Sequence, residues 1–237
     1  MKALALLLAC TLWETSVLAQ DREAEQIAQV RAEFTGKSLV EINGWLAAIR
    51  PVAVSSAEQQ ILLRDLPLIT QANSVADYSE LFRLRTRVEA ALGLHGRAGV
   101  IELIVFRDSR PIVYNKPGVV IVLSTEVLKI VGTNDAALVG VVSHEVAHEY
   151  VAIPMLNAIR AQDILKIQRL ELFCDAVAVI TLLTLRLDPA CYCKALKQIC
   201  THSKAAKSLN DGSGSHPALA IRLNLIEEIW RSCKPKG

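Results

Sequence analysis

The sequence predicts an α+β fold that is mainly helical and contains one small β-sheet. Apolar residues recur at the three- and four-residue spacing of amphipathic helices, as at Leu81, Leu84 and Val88. Near the middle of the chain this rhythm gives way to β-branched apolar runs that are separated by turn residues. Hydrophobic residues make up 52% of the 237 residues and charged residues 21%, so the chain can bury a substantial core.

The predicted elements before and within the sheet follow directly from these patterns. Residues 21–95 are expected to form three or four helices. Two strong strands are predicted at Val100 to Phe106 and at Val119 to Leu123, with a short extended segment, Ile112 to Tyr114, between them. His95, which has glycines close by, is interpreted as a loop histidine.

Four helices are predicted after the sheet. Asn134 or Asp135 can cap the first, which is expected to run to about Ala152, ahead of Pro154. The other three are a long helix from about Ala161 to Leu187, a shorter one that follows Asp188-Pro189 and carries cysteines, and a last one that begins near Pro217.

The first nineteen residues are predicted to be a secretory signal peptide. Lys2 supplies a positive charge, Ala3 to Trp13 is an apolar run, and Val17-Leu18-Ala19 resembles a cleavage site. The apolar run has about half of the ~20 residues that a membrane-spanning helix needs, and we predict no transmembrane segment in the mature chain. Cleavage would leave a protein exported to the periplasm or the medium. Attachment as a lipoprotein through Cys10 is the alternative.

We divide the chain into a signal peptide (1–19), an N-terminal helical region (20–95) and a core (96–237) that carries the chemical motifs. The formal net charge of +2 is small. A nucleic-acid binder usually concentrates basic residues on one face, and the row formed by Arg83, Arg85 and Arg87 fits a solvated helix edge better. We therefore expect no nucleic-acid partner.

The strongest chemical motif is His144-Glu145-Val146-Ala147-His148. Two histidines four residues apart on a helix project from one face and can share one tetrahedral zinc ion. Glu145 lies beside the first histidine and can act on water as a general base without binding the metal. Because this short pattern also arises by chance, the interpretation needs further ligands from elsewhere in the chain.

Glu171 on the long predicted helix can supply the third protein ligand that a catalytic zinc site needs. Asp175 lies one turn further and can accept a hydrogen bond from a ligand histidine. Both carboxylates stand among apolar residues, so their burial requires a cationic partner. A salt bridge from Glu171 to Arg169 or Lys166 is the alternative.

Ser215-His216-Pro217, followed by Arg222, is a third candidate element. His216 could approach the metal or the oxyanion of a substrate. Arg222 could stabilise negative charge on a tetrahedral intermediate. The structural alternative is a capped helix start with a surface arginine.

Together, His144-Glu145-x-x-His148, Glu171-x-x-x-Asp175 and the His216 and Arg222 segment resemble the M48 family of zinc metallopeptidases, over roughly residues 98–231. The resemblance implies a zincin-like (gluzincin) domain with a small sheet beside the active-site helix. It implies one zinc ion per chain, held by His144, His148 and Glu171, with Glu145 as the catalytic base. It also implies that His216 and Arg222 lie over the site.

The resemblance implies a zinc-dependent endopeptidase that acts on proteins or peptides, in quality control of the cell envelope. Only 22 residues, 149–170, separate the second histidine from Glu171, where membrane members of the family carry long insertions, so a soluble exported member is expected. A substrate peptide is expected to pair with the edge of the sheet at Val119 to Leu123. The alternative is a non-catalytic, zinc-stabilised chaperone-like or scaffold protein, against which the intact Glu145 weighs.

Six cysteines occur, and an oxidising compartment would let pairs persist. The disulfide candidates are Cys191, Cys193, Cys200 and Cys233. Cys193 and Cys200 lie about two turns apart on one predicted helix, too far to pair with each other. We expect Cys233 to pair with Cys200 and Cys174 to stay reduced. A small metal site that combines three of the candidates with His202 is the alternative.

Overall fold

The computed structural model describes residues 24–25, 27–64, 66, 78–203, 212 and 214–233. The predicted signal peptide and Cys10 lie outside these residues. The described chain is mainly helical with a three-stranded sheet, so the predicted α+β class is confirmed. Within the described ranges no helix has the length and apolar character needed to cross a membrane.

The predicted elements occur in the predicted order, and two further helices that were not predicted lie at 125–131 and 152–160. The described helices before the sheet are α1 (27–34), α2 (Leu39–Ala48), α3 (Ser56–Arg64) and α4 (Tyr78–Leu94). The strands are β1 (Glu102–Phe106), β2 (Val113–Lys116) and β3 (Val120–Ser124). The described helices after the sheet are α5 (Thr125–Val131), α6 (Asp135–Ala147), α7 (Ala152–Arg160), α8 (Ile164–Thr184), α9 (Pro189–His202) and α10 (Leu219–Cys233).

The sheet has the strand order β1-β3-β2, with β1 parallel and β2 antiparallel to β3. All five residues of β3 are buried, as expected for a strand that is covered on both faces. The prediction that Val119 to Leu123 forms an edge for a substrate peptide is therefore wrong, because this strand is the centre of the sheet. Among the described strands, the edges of the sheet are β1 and β2.

The turn between β2 and β3 depends on Gly118, whose φ of +74° lies in the region that favours glycine. A Cβ there would lie 2.4 Å from a methyl carbon of Val54, so a larger residue would also collide. The Gly118 N–H donates to a carboxylate oxygen of Glu149 at 3.1 Å, which connects the turn to the segment after α6.

Helix α6 ends at Ala147, about five residues earlier than predicted. The N–H groups of His148, Glu149 and Tyr150 each bond to the carbonyl three residues back, which tightens the last turn. A new helix, α7, starts at residue 152, and Pro154 lies in its first turn, where a missing N–H costs nothing. The proline therefore helps to begin a helix instead of ending one.

The other helix boundaries differ from the predictions by a few residues. Helix α6 begins after Asn134, whose side chain accepts from the backbone of Ala137 as predicted. The long helix α8 begins at Ile164 because the Asp163 side chain caps it, and it is shorter than predicted at both ends. Helix α10 begins at Leu219, two residues after Pro217.

The core is built around α6 and α8, which pack against each other. The buried apolar cluster also contains Val30, Phe34 and Val88 from the N-terminal helices, so these helices share the core with the motif-bearing part of the chain. The burial of α8 is continuous from Glu171 to Leu182. The carboxylates of Glu171 and Asp175, which lie one helical turn apart, are therefore inside this core.

The five cysteines among the described residues do not pair with one another. Cys174, as expected, is a buried free thiol. The predicted disulfide between Cys200 and Cys233 is wrong for this structure, in which the four candidates Cys191, Cys193, Cys200 and Cys233 are also free.

His95 lies in the turn after α4, as predicted, but it is buried, with 3% of its surface accessible. Its Nδ1 lies 2.9 Å from the hydroxyl of Tyr150, and its Nε2 lies 2.9 Å from Oγ1 of Thr181. Because the Thr181 hydroxyl donates its hydrogen to the carbonyl of Val177, it accepts from Nε2–H of His95. Both ring nitrogens are therefore satisfied in the neutral imidazole.

Burial, and then the charges of Arg50 and Arg97, lower the pKa of His95 to about 4. An unfolded chain takes up this proton near pH 6.5, so between pH 6.5 and 4 the unfolded state binds more protons. Acidification through this window should therefore reduce the free energy of unfolding by about 2–3 kcal/mol through this residue alone. The loss can be measured by urea unfolding of the parent protein and of His95→Gln, both in the presence of a chelator, at pH 7 and 4.5. Equal losses in the two proteins would contradict the prediction.

Candidate metal centre

Helix α6 places the two histidines of the motif close together. His144 lies in its last turn, and His148 is the C-terminal cap. His148 keeps a right-handed helical backbone (φ −58°, ψ −23°), so its side chain still lies one turn beyond that of His144. The ring centroids are 5.0 Å apart and nearly perpendicular. The early end of α6 therefore leaves the predicted pairing of the histidines intact.

Helix α8 brings Glu171 against both imidazoles. The Nε2 atom of His144 lies 3.3 Å from Oε2 of Glu171, and the Nε2 atom of His148 lies 3.9 Å from Oε1. Donor atoms bound to a tetrahedral zinc at about 2.0–2.1 Å are about 3.3 Å from one another. The three side chains predicted as ligands are therefore together, at separations close to those of a metal shell.

Glu145 belongs to the same cluster. One potential ligand atom from each of His144, Glu145 and His148 lies within 4.8 Å of the others, and this group can hold a metal ion. Glu145 is 8% exposed, and its backbone carbonyl accepts a hydrogen bond from the Asn115 side chain of β2. The carboxylate of Glu145 can therefore either bind the metal itself or lie unbound beside the ligands.

One buried atom of the site has no conventional partner. Oε2 of Glu171 makes no hydrogen bond within the described part of the chain, although the residue is only 5% exposed. The Nδ1 of His144 faces Asp175 at 2.9 Å, which places the ring hydrogen there and leaves the Nε2 lone pair toward Glu171. Two lone pairs that face each other in a buried site need a proton or a metal cation between them.

The alternative partners of Glu171 are not used. Arg169 donates to Gln29 at 2.7 Å. Among the described residues no ion pair joins Glu171 to Arg169 or to Lys166, so the salt-bridge alternative has no support.

Asp175 is the predicted hydrogen-bond acceptor for His144, and the structure adds two donors that the sequence analysis did not assign to it. Arg222 donates to both carboxylate oxygens, through Nε and Nη2, each at 2.7 Å. The hydroxyl of Tyr192 donates to Oδ1 at 2.7 Å. Asp175 is completely buried, so these contacts form the polar centre of the core beneath the histidines.

The role predicted for Arg222 changes accordingly. The guanidinium is 6% exposed and pairs with Asp175, so it does not point freely at a substrate oxyanion. Tyr192 was missed because helix α9 was considered only for its cysteine spacing. The one available signal was Gly140, a glycine inside the apolar helix α6, which marks a close approach by another group.

The electrostatics of the site favour a cation. Burial lowers the pKa of His144, but the carboxylates of Asp175 and Glu171 outweigh burial and raise it to about 10. Burial raises the pKa of Glu171, but the imidazoles of His144, His216 and His148 lower it to about 2. Burial raises the pKa of Asp175, and Arg222 more than reverses this. The negative potential that holds a proton on His144 would equally attract a metal ion.

The pKa values of His148 and Glu145 bear on metal binding and on proton transfer. Burial, followed by the charge of His144, lowers the pKa of His148 to about 4, so its imidazole is neutral at physiological pH and can act as a ligand. Burial raises the pKa of Glu145 to about 7, with His144 opposing the rise and Glu171 supporting it. A carboxylate with a pKa near neutrality can both accept and return a proton.

No protein-family model matches the chain, and neither does any curated protein. The M48 resemblance of the sequence therefore stays a prediction, and the functional argument depends on the residues of the site.

His216 lies on the open side of the cluster. Its Nε2 is 3.4 Å from Oε2 of Glu171, and its side chain is 38% exposed. Gln168 on α8 holds the segment before it by donating to the carbonyls of Gly212 and Gly214, at 2.7 and 3.0 Å. His216 thus approaches the proposed third ligand, as predicted for a residue over the site.

A cavity of about 380 Å³ opens beside Glu145. One wall is the start of β2 and the residues before it, and the opposite wall is α9. Polar groups of the cluster, His144, Glu145 and His216, stand at one side, whereas most other lining residues are apolar. The apolar members are Pro111, Ile112, Val113, Val141, Leu196 and Ile199.

Proposed function

We propose that the protein is a zinc-dependent endopeptidase with a zincin-like (gluzincin) fold of the M48 type. In this proposal His144, His148 and Glu171 hold one zinc ion, and Glu145 is the general base. The observation that carries it is that the buried carboxylate of Glu171, from a separate helix, faces Nε2 of both histidines, with Oε2 3.3 Å from His144 and Oε1 3.9 Å from His148. Oε2 has no hydrogen bond within the described part of the chain, which leaves it free to bind a metal.

A bound zinc ion supplies Lewis-acid polarisation of the scissile carbonyl and makes water at the site more acidic. Glu145 would take the proton from the attacking water and return it to the leaving amine. Asp175 holds the hydrogen of His144 on Nδ1, so that Nε2 faces the metal. The low exposure of Glu145 limits access of bulk water to this proton transfer.

A substrate peptide would bind beside β2 and not beside β3, because β2 is an edge strand next to the cavity. Extended peptides add to such edges through backbone hydrogen bonds, and pockets select their side chains. The apolar walls formed by Val113, Val141 and Leu196 favour an apolar substrate side chain beside Glu145. Proteins or peptides are thus the proposed substrates.

Export and a role in quality control of the cell envelope belong to the same proposal and depend on the signal predicted in residues 1–19. The alternative function is a zinc-stabilised chaperone-like or scaffold protein. The open cavity beside Glu145 favours the enzyme, because a purely structural metal site is closed and needs no base.

Removal of the metal should abolish hydrolysis. We expect the purified protein to contain about one zinc ion per chain and to cleave casein. Dialysis against a chelator should reduce cleavage to background, and added zinc should restore it, since His144, His148 and Glu171 all face one point. Bound zinc without cleavage would support the scaffold alternative. Cleavage that survives complete removal of metal would refute the proposal.

A further inference from the structure

Tyr192 is the largest fully buried side chain near the site, and its hydroxyl touches the polar centre of the core. That hydroxyl donates to Oδ1 of Asp175 at 2.7 Å and lies 3.3 Å from Nδ1 of His144. The same Oδ1 is 2.9 Å from Nδ1 of His144 and 2.7 Å from Nη2 of Arg222. Three donors therefore converge on one carboxylate oxygen.

These contacts determine which nitrogen of the His144 imidazole carries the ring hydrogen. A tyrosine hydroxyl carries one hydrogen, and here it is given to Asp175, so it offers none to the imidazole. Nδ1 of His144 must then be the protonated nitrogen, because it faces a carboxylate oxygen. In the metal-bound form, Nε2 would then be the nitrogen whose lone pair binds the metal beside Glu171.

Gly140 makes room for this arrangement. It lies inside α6, one turn before His144, where glycine is less favourable than alanine. A Cβ at Gly140 would lie 2.7 Å from Cβ, Cγ and Cδ2 of Tyr192. Contacts that short do not occur between packed carbons, so any larger residue would push the tyrosine away from the helix. The missing side chain lets the ring lie flat against α6 with its hydroxyl on Asp175.

Arg222 and Tyr192 hold Asp175 from different elements. Arg222 comes from α10 and binds both oxygens, which neutralises the carboxylate. Tyr192 comes from α9 and adds a contact only to Oδ1, the oxygen that faces His144. The tyrosine therefore helps Arg222 to fix the orientation of that oxygen relative to the imidazole.

We propose that Tyr192, lying against Gly140, is a positioning residue that orients Asp175 and through it His144 for metal binding. The proposal goes one step beyond the proposed function and relies on its metal site. Tyr192 does not touch the reacting groups of a substrate. Its effect is to keep Nε2 of His144 directed at the point where Glu171 and His148 meet.

The test is the zinc affinity of Tyr192→Phe, measured by competition with a chromophoric chelator. Phenylalanine keeps the ring beside Gly140 and removes only the hydroxyl. Loss of a residue that hydrogen-bonds directly to a ligand costs 10–100-fold in affinity, and Tyr192 is one bond further away, so we expect zinc binding to weaken about three- to ten-fold. The zinc-induced rise in Tm should shrink accordingly, while the Tm of the zinc-free protein changes little.

The matched control is Tyr150→Phe, which removes a tyrosine hydroxyl that contacts His95, a histidine outside the proposed metal site. Its zinc affinity should equal that of the parent. Gly140→Ala is a second variant that should disrupt the contact of Tyr192 with Asp175, because the added Cβ displaces Tyr192. It should weaken zinc binding, and its loss should not add to that of Tyr192→Phe in the double variant, since both act on one contact.

The outcomes separate this proposal from the proposed function. A parent that binds no zinc would overturn the metal site itself. A parent that binds zinc, together with a Tyr192→Phe variant that binds it equally tightly, would overturn only the positioning role. Equal weakening in Tyr192→Phe and Tyr150→Phe would also overturn it, because the effect would then be a general loss of packing.

Discussion

Replacement of Glu145 by glutamine is expected to abolish peptide hydrolysis while the metal stays bound. Glutamine has the same shape as glutamate but cannot accept a proton from water. A general base contributes typically 10²–10⁴-fold to a rate, so we expect kcat to fall by about that factor. In the proposed arrangement the ligands are His144, His148 and Glu171, so the zinc content should not change.

The same variant decides between the two roles open to Glu145. Its carboxylate is close enough to His144 and His148 to be a ligand itself. Loss of zinc from Glu145→Gln would make it one, and cleavage of casein at the parental rate would remove it from the mechanism altogether. Glu102→Gln is the control, because Glu102 is an exposed residue of β1 on the far side of the sheet from β2. It should keep parental activity and zinc.

The proximity of the candidate ligands could be predicted from the sequence because it depends mainly on local spacing. Residues four apart on a helix share a face whatever the rest of the fold does, which places His144 with His148, and Glu171 with Asp175. Only the docking of α8 against α6 had to be assumed. The continuous apolar run of β3 also indicates that this strand is central, because a strand that is buried on both faces is apolar throughout.

Other features depend on contacts between distant residues, and no local pattern encodes them. Arg222 was assigned to a substrate oxyanion because a basic residue near a catalytic motif suggests that role, whereas in the fold the nearest buried charge is Asp175. The contact between Gly140 and Tyr192 joins residues on two helices. The sequence predicts an end of α6 that is too late because Pro154 suggests a stop signal, although proline is also common in a first helical turn.

Replacement of Glu171 by alanine is expected to remove most of the bound zinc. The carboxylate is the one candidate ligand from α8, and a site left with two histidines lacks the third protein ligand that zinc requires. The loss of affinity should exceed the 10–100-fold that follows when a hydrogen-bonding neighbour of a ligand is removed. Zinc per chain, measured after gel filtration in metal-free buffer, should fall well below that of the parent.

Asp175→Ala is the informative comparison because Asp175 acts on a ligand and also on Arg222. Its removal leaves a buried guanidinium without its carboxylate, a loss that typically costs about 3–5 kcal/mol. The zinc-free Asp175→Ala variant should therefore be strongly destabilised. Zinc-free Glu171→Ala should be destabilised less, because the imidazole that faces Glu171 can give up its proton, whereas the guanidinium that faces Asp175 stays charged. Urea unfolding in the presence of a chelator measures both.

The pair of variants thus separates metal binding from folding. Glu171→Ala should show the larger loss of zinc and the smaller loss of stability, and Asp175→Ala the reverse. If Glu171→Ala retained the zinc stoichiometry of the parent, the third ligand would lie elsewhere, with Glu145 as the next carboxylate within reach of both histidines. If both variants lost zinc and stability in the same proportion, the contact of Glu171 with the imidazoles would be structural, and its role as a ligand would be wrong.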